Sequence, residues 1–388
     1  MGGSGLNMSR RIRRTPYTDK VEGCGVSGFT VVNHMLLPKL FNKTVEEDYW
    51  HLRENVQIWD VSCQRQVEII GPDAEKLVQI MTPRYIGNMK IGQCLYIPLL
   101  DENAGMINDP VLLKLEHNHF WLSIADSDVL LWTKGLAFGF NYNVKILEPD
   151  VYPLAIQGPK AEALMASIFG DKIKEIKFFN FKFFDFLGSK QLIARSGYSK
   201  QGGFEVYLNG FSLGSKLWDV IWKAGKQFNI SAGCPNLIER IEGGLLSYGN
   251  EFTIQNNPFE CNFDKFLSTD TDHTYIGKNS LEKIKNEGVK KRIQGILFDS
   301  VPCPPCAKPF PVLSKKGDKI GQITSGIYNP RIKKNTGLSM IDIEFWDEGN
   351  IIEVQLGDNK ITEGIINNIP FYNKFRAVAS IQVILELY

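Results

Sequence analysis

A chain of 388 residues, 43% hydrophobic and 22% charged, is too long for one ordinary core and too apolar for extensive disorder, so two or three packed domains are expected. With 44 basic against 43 acidic residues the formal net charge is only +1; no global field favours nucleic acid or an anionic membrane, and a small molecule is the expected partner. The most apolar stretch, Phe120 to Phe140, is interrupted by Asp126, Asp128 and Lys134, short of the roughly 18 uncharged residues that a membrane span needs.

In chain order, Met1 to Asn7 read as an expression scar rich in Gly and Ser, and Ser9-Arg10-Arg11-Ile12-Arg13-Arg14 lacks the apolar core of an export signal, which makes a cytoplasmic location the expectation. An internal repeat follows. Val67-Glu68-Ile69-Ile70-Gly71-Pro72-Asp73-Ala74-Glu75-Lys76-Leu77 is echoed by Leu154-Ala155-Ile156-Gln157-Gly158-Pro159-Lys160-Ala161-Glu162-Ala163-Leu164. In each copy a β-prone run meets Gly-Pro and continues as a helix, because proline suits a first turn whose N–H lacks an intrahelical partner. One apolar stripe is expected on each helix, from Ala74, Leu77, Val78 and Met81 in the first and from Ala161, Leu164, Met165, Ile168 and Phe169 in the second.

Between the copies, Tyr96 to Leu100 and Pro110 to Ile124 read as a hairpin around Asp101-Glu102-Asn103-Ala104-Gly105, and Asp126 to Leu136 as a helix. Phe178 to Phe186, Gln191 to Arg195 and Gly203 to Leu208 are strand candidates, with a later helix at Ser280 to Asn286. From Arg292 onward short β runs alternate with Gly, Pro and Asn turns, the pattern of a separate β-barrel-like domain. The fold class is α+β, with antiparallel pairing. Seven cysteines are scattered, and only Cys303 and Cys306 lie close, as Cys-Pro-Pro-Cys; reduced structural thiols are expected, a redox or zinc pair being the alternative. No metal site is expected.

The familiar short motifs for nucleotides, metals and serine nucleophiles are absent, and five dispersed histidines suggest surface or structural roles. Three segments gather polar groups. Asn108-Asp109-Pro110 follows the hairpin turn, where Asp109 is either a turn residue or a site carboxylate. Arg195 to Tyr207 is a glycine-rich loop entering a strand, on which Glu205 and Tyr207 share one face and Phe204 and Val206 the other. That pattern suits a donor-rich or cationic ligand, or an edge strand in solvent. Glu239 to Gly244 reads as a helix-end ion pair or as a further site element.

At these segments the chain resembles the folate-binding aminomethyltransferase (glycine-cleavage T-protein) superfamily. The matching segments include Arg53-Glu54-Asn55-Val56, Trp59-Asp60-Val61-Ser62, Gly92-Gln93-Cys94-Leu95-Tyr96, Ser196-Gly197-Tyr198, Gly203-Phe204-Glu205, Arg240-Ile241-Glu242-Gly243-Gly244, Tyr275-Ile276-Gly277-Lys278 and Gly321-Gln322-Ile323-Thr324-Ser325-Gly326, the match running on to Pro370-Phe371-Tyr372. The resemblance implies three domains in a clover arrangement, here 8–55 with 141–288, 56–140, and 289–388. Asn33-His34-Met35-Leu36-Leu37-Pro38, Val61-Ser62-Cys63-Gln64-Arg65-Gln66 and Ile107-Asn108-Asp109-Pro110 look like the branch that demethylates dimethylsulfoniopropionate. Aminomethyltransferases usually carry Asp-Asp in place of Asn108-Asp109, and Thr-Gly-Glu-Asp in place of Ser199 to Gly202.

Carried over residue by residue, the resemblance implies that Glu205 accepts the pterin's N–H donors, with Tyr198 and Phe179 as pocket walls and Arg240 as a site arginine. It places Asp109 as the catalytic carboxylate near N5 of tetrahydrofolate and Tyr96 near the reacting carbon. Tyr207 is expected to hold a sulfonium by cation–π attraction. Tetrahydrofolate is then the methyl acceptor, the partners are folate and a small sulfonium, and no metal and no lipoyl carrier protein are required. The competing readings are aminomethyl transfer from a lipoyl carrier and a folate-binding scaffold without catalysis.

Overall fold

The computed structural model describes residues 11–371 except 269, 270, 300 and 358. The expected scar at Met1 to Asn7, the Ser9-Arg10 start of the basic segment, Tyr372 and the end of the expected barrel domain, 373–388, lie outside the described residues. The chain divides into two compact units: one holds the segments up to Ala74, Met89–Leu95 and Val111–Asn236, the other Glu75–Asn88, Tyr96–Pro110 and the chain from Leu237 onward.

Both copies of the repeat form a strand and a helix joined by the same junction. Gln66–Ile70 leads through Gly71-Pro72 into the helix Ala74–Met81, and Val151–Gln157 through Gly158-Pro159 into Ala161–Phe169. Ala74 N donates to Gly71 O and Ala161 N to Gly158 O, each at 3.0 Å. The glycines have φ of 141° and 120°, where a side chain is strained. A Cβ on Gly71 would stand 2.5 Å from Asn143 O, and one on Gly158 2.4 Å from Asn55 O. Ala74, Leu77, Val78 and Met81 are all buried, as are Ala161, Leu164 and Met165, so each helix has its expected stripe.

In the first unit the second repeat builds a six-stranded sheet in the order Phe181–Phe186, Ser189–Ala194, Gly203–Asn209, Val151–Gln157, Val56–Asp60 and Ile230–Ala232. Its pairings are antiparallel except the last. Phe204, Val206 and Leu208 join Ile156, Leu164 and Trp218 in one core, whereas Tyr207 joins Leu113, Trp121 and Leu192 in another. The expected alternation of the strand therefore holds. Its position corrects the solvent-edge alternative: Gly203–Asn209 is paired on both sides, and Glu205 is 6% exposed.

A five-stranded sheet runs Lys145–Leu147, Gln66–Ile70, His119–Ser123, Val111–Glu116 and Cys94–Tyr96. The hairpin expected around Asp101 to Gly105 forms, with its two arms divided between two sheets. Leu99–Leu100 pairs with Met106–Asn108 across that turn, Ile97 N donates to Pro110 O at 3.1 Å, and Cys94–Tyr96 lies beside Val111–Glu116, which turns back on His119–Ser123. The next helix starts at Val129 rather than Asp126, because the Asp126 carboxylate accepts the Asn33 N–H at 2.8 Å and the chain makes tight turns there.

The second unit contains the β domain foreseen at the C-terminus, a closed barrel ordered Lys291–Phe298, Lys334–Asp342, Lys319–Asn329, Phe310–Leu313, Ile351–Gln355 and Ile361–Asn367, the last pairing with the first. All seven cysteines are free thiols. Burial pushes the Cys303 thiol up to about 11, which keeps it protonated at neutral pH. Among the described residues no helix is long and apolar enough to cross a membrane.

The junction geometry predicts unequal costs at two glycines. Gly158→Ala meets both positive φ and a backbone oxygen and should lose roughly 2–3 kcal/mol of stability. Gly188→Ala, with φ 78° but no atom within 4 Å of the added carbon, should lose only about 1 kcal/mol. Denaturant unfolding followed by tryptophan fluorescence measures both; equal midpoints would show that the junction is not constrained as described.

Candidate functional site

Glu205 lies in the interior of the six-stranded sheet with no basic side chain beside it among the described residues. Ser196 Oγ donates to its Oε2 at 2.5 Å, and the carboxylate makes no other hydrogen bond among the described residues. Burial raises its pKa, against the smaller opposing effect of the serine. Such a carboxylate is short of donors, and a ligand presenting N–H groups would supply them.

The loop before this strand is folded around Gln157, which is fully buried. Its Nε2 donates to Ser196 O at 3.1 Å, and its Oε1 accepts from Ser199 Oγ at 2.8 Å. Gly197 and Gly203, at φ 152° and 147°, pass so close that a Cβ would stand 2.1 and 2.7 Å from Gln157 Nε2. The glutamine therefore sets the path of the segment that carries Ser196, the half-buried Tyr198 and Glu205. Phe179, half-buried at φ 54°, packs on the cluster that contains Tyr207 and stacks obliquely on Phe178 with centroids 4.8 Å apart. Tyr207 is only 1% exposed, its ring centroid 6.3 Å from that of Trp121. The first unit thus brings Glu205, Tyr207 and Phe179 to one side of the sheet, with Tyr207 enclosed behind the wall.

In the second unit Tyr96 and Asp109 meet directly: the phenol donates to Asp109 Oδ2 at 2.6 Å. The other oxygen, Oδ1, is buried without a hydrogen-bond partner. Burial pushes the Asp109 carboxyl up to about 7, even though the Tyr96 hydrogen bond favours the charged form. Tyr96 is fixed by edge contacts with Phe263 and Phe266, at centroid separations of 5.6 and 4.8 Å. The Arg84 guanidinium donates to the Tyr96 carbonyl at 2.6 Å. Asp109 is thus a carboxyl with an acceptor position open and a pKa near neutrality, suited to receiving or giving a proton.

Arg240, also in this unit, is 8% exposed. Its guanidinium donates to Glu251 Oε2 at 3.0 Å and to Ser325 Oγ at 2.6 Å, and Ser325 in turn donates to Glu251 Oε1. The ion-pair alternative for Glu239 to Gly244 therefore describes what the arginine does within the protein. Two histidines have structural partners here: His119 meets Glu68 at 2.7 Å, and His273 meets the carbonyl of Pro83 at 3.1 Å. Among the described residues no three His, Cys, Asp or Glu side chains gather as a metal-binding group.

Sequence reasoning assigned no role to Ser196, Gln157 or Arg84. A signal for Gln157 existed: it occupies the repeat position that Ile70 fills in the first copy, a polar residue at the buried end of an apolar strand. Arg84 follows Thr82-Pro83 with no local pattern that distinguishes it from a surface arginine.

The raised carboxyl of Asp109 gives a pH prediction. Its folded value of about 7 stands above the ordinary 3.8, so its contribution to stability is complete below about pH 4 and is lost as pH rises through 7. Asp109→Asn should therefore be more stable than the wild type above pH 7, by on the order of 2–4 kcal/mol, and unfold at a higher temperature. The difference should shrink toward nothing as the pH falls to 4. Thermal unfolding of both proteins at matched pH checks this, and a pH-independent difference would contradict it.

The GCVT N-terminal domain family matches residues 18–271, and the glycine cleavage T-protein C-terminal barrel domain family matches 291–373. A dimethylsulfoniopropionate demethylase from Ruegeria pomeroyi is 46% identical over 350 residues, 90% of this chain and 95% of the relative. Aminomethyltransferases from Natranaerobius thermophilus and a Thermoanaerobacter species are 32% and 31% identical, each alignment covering 87% of this chain and 92% of the relative. The crystal structure of aminomethyltransferase T from Bartonella henselae shares the fold, with a TM-score of 0.83 over 93% of this chain and 98% of that one at 22% identity. On its strand and barrel architecture and on these matches, the chain belongs to the glycine cleavage T-protein (GCVT) family.

Proposed function

We propose that this protein is a tetrahydrofolate-dependent methyltransferase that demethylates dimethylsulfoniopropionate, giving 3-(methylthio)propionate and 5-methyltetrahydrofolate. The observation that carries the reading is the Tyr96–Asp109 pair, in which Asp109 is a half-buried residue whose carboxyl is near neutrality and whose Oδ1 is buried and unpartnered. It is supported by the higher identity to the demethylase than to the two aminomethyltransferases, 46% against 31–32%. The small-molecule reaction needs no lipoyl carrier, and a cytoplasmic location fits a folate-linked step.

Tetrahydrofolate, when bound, supplies N5 as the methyl acceptor. Glu205 accepts the pterin's N–H donors, which replace the water that its carboxylate has lost, and Tyr198 and Phe179, both half-buried, wall the ring. The sulfonium carbon is already activated because the bond that breaks leaves its electron pair on sulfur as a neutral thioether. Orientation is then the protein's main contribution, worth several kcal/mol, on the order of 7 or more when complete. As positive charge leaves sulfur, Asp109 Oδ1 takes the proton released in the transfer, and the Tyr96 phenol holds Oδ2 and fixes the carboxylate plane. The half-buried ring of Tyr96 is the aromatic offered to the cation; Tyr207, enclosed against Trp121, acts by shaping the wall behind Glu205. Arg240 is proposed to contribute through its buried pair with Glu251, which fixes the segment following its helix.

The test is incubation of the protein with tetrahydrofolate and dimethylsulfoniopropionate, with assay of both products. Product formation without any carrier protein is expected; ammonia release from an aminomethylated lipoyl carrier with no sulfonium product would favour the aminomethyltransferase. Two variants separate the roles. Glu205→Gln should weaken tetrahydrofolate binding 10- to 100-fold, about 1.5–3 kcal/mol for a charge-assisted contact, with the fold retained. Asp109→Ala should lower kcat by about 100-fold or more while tetrahydrofolate still binds; calorimetry and steady-state kinetics read the two effects independently.

A further inference from the structure

Arg84 carries a charge that the fold leaves without a counter-ion. It is half-buried, makes one side-chain hydrogen bond, to the Tyr96 carbonyl at 2.6 Å, and pairs with no carboxylate among the described residues. Its guanidinium carbon lies 5.2 Å from the centre of the Phe266 ring. Arg65, Arg240 and Arg331 are also withdrawn from solvent, and each meets a glutamate. Burial lowers the Arg84 pKa with no anion to offset it. A guanidinium has five donors in a planar fork, so fixing it with one carbonyl and one ring leaves donors for a planar anion.

Arg84 is tied to the reaction residues through Tyr96. It holds that residue at its carbonyl, and Asp109 holds it at its hydroxyl. A cation and a proton acceptor therefore flank opposite ends of one tyrosine. The proposed substrate has matching polarity, with a carboxylate at one end and the reacting methyl on the sulfonium at the other. We infer that Arg84 binds the substrate carboxylate by a bidentate ion pair and so selects a sulfonium that carries an acid arm over one that does not. The inference rests on the demethylase reading and names the anion-binding residue for it. Lys265 also approaches Phe266, at 5.0 Å, but it is exposed, and a hydrated ammonium contributes less to selection of the acid.

The experiment compares dimethylsulfoniopropionate with its uncharged carboxamide analogue in the wild type and in Arg84→Met, Arg84→Lys and Lys265→Met. The wild type should prefer the acid by tenfold or more in kcat/KM. Arg84→Met should abolish that preference, the acid losing at least tenfold more in kcat/KM than the carboxamide, whose smaller loss reads the missing contact to Tyr96. Arg84→Lys, which keeps a cation at the position, should recover part of the preference, and Lys265→Met should retain all of it. Equal losses for both compounds in Arg84→Met, with the preference intact, would show that the arginine only supports Tyr96 and would overturn the inference while leaving the demethylase reading in place. A wild type that transfers methyl from neither compound would overturn the reading itself, and this inference with it.

Discussion

A carboxylate taken out of water with no cation beside it holds its proton more tightly, and its charged form destabilises the protein until donors reach it. Glu205 and Asp109 are both in this condition, each with a single side-chain donor that is a hydroxyl, from Ser196 and from Tyr96. Hydroxyls orient a carboxylate without neutralising it. This contrasts with Glu251, which is as buried as Glu205 but meets Arg240, Ser325 and the Ser247 N–H. Glu251 has its partners within the protein, whereas Glu205 and Asp109 have theirs only in part. That shortage is what a donor-rich pterin and a departing proton can each satisfy.

The surrounding framework is rigid where these carboxylates need it. Gln157 is fully buried, and its amide links the strand Val151–Gln157 to the loop that carries Ser196. The two glycines that skirt it leave no room for a β-carbon, so the loop has few alternative paths into the strand that bears Glu205. Tyr96 is constrained by different means, two aromatic edges and a carbonyl held by Arg84. In both places the group that meets the ligand rests on residues whose own positions are fixed, which limits the loss of orientation on binding.

Much of this was legible in the sequence. The repeated Gly-Pro junction announced two strand-to-helix modules because its chemistry is local: positive φ at glycine, a first-turn proline and one apolar stripe. The alternation from Phe204 to Tyr207 gave the correct faces, but whether the strand lay at an edge depended on Ser189–Ala194 and Val151–Gln157 pairing with it, which no local pattern records. The same limit applies to the hairpin near Asp101, whose arms pair first as Leu99–Leu100 with Met106–Asn108 and then, in a separate sheet, as Cys94–Tyr96 beside Val111–Glu116. Tyr207 was expected to face a cation, yet Trp121, 86 positions away in sequence, encloses it. The resemblance supplied Glu205 and Asp109; it did not supply the absence of counter-ions, which is a property of packing.

The central claim is that Glu205 is a buried, cation-free carboxylate completed by the pterin. Its raised pKa must then fall when the ligand's donors arrive, so binding releases a proton wherever the free protein holds one. The most direct measurement is tetrahydrofolate affinity as a function of pH, by calorimetry, for the wild type and Glu205→Gln side by side, since any titration of the ligand itself is common to both. Wild-type affinity should tighten relative to the variant as pH rises through the raised Glu205 pKa and then level off. Parallel profiles for the two proteins would contradict the account.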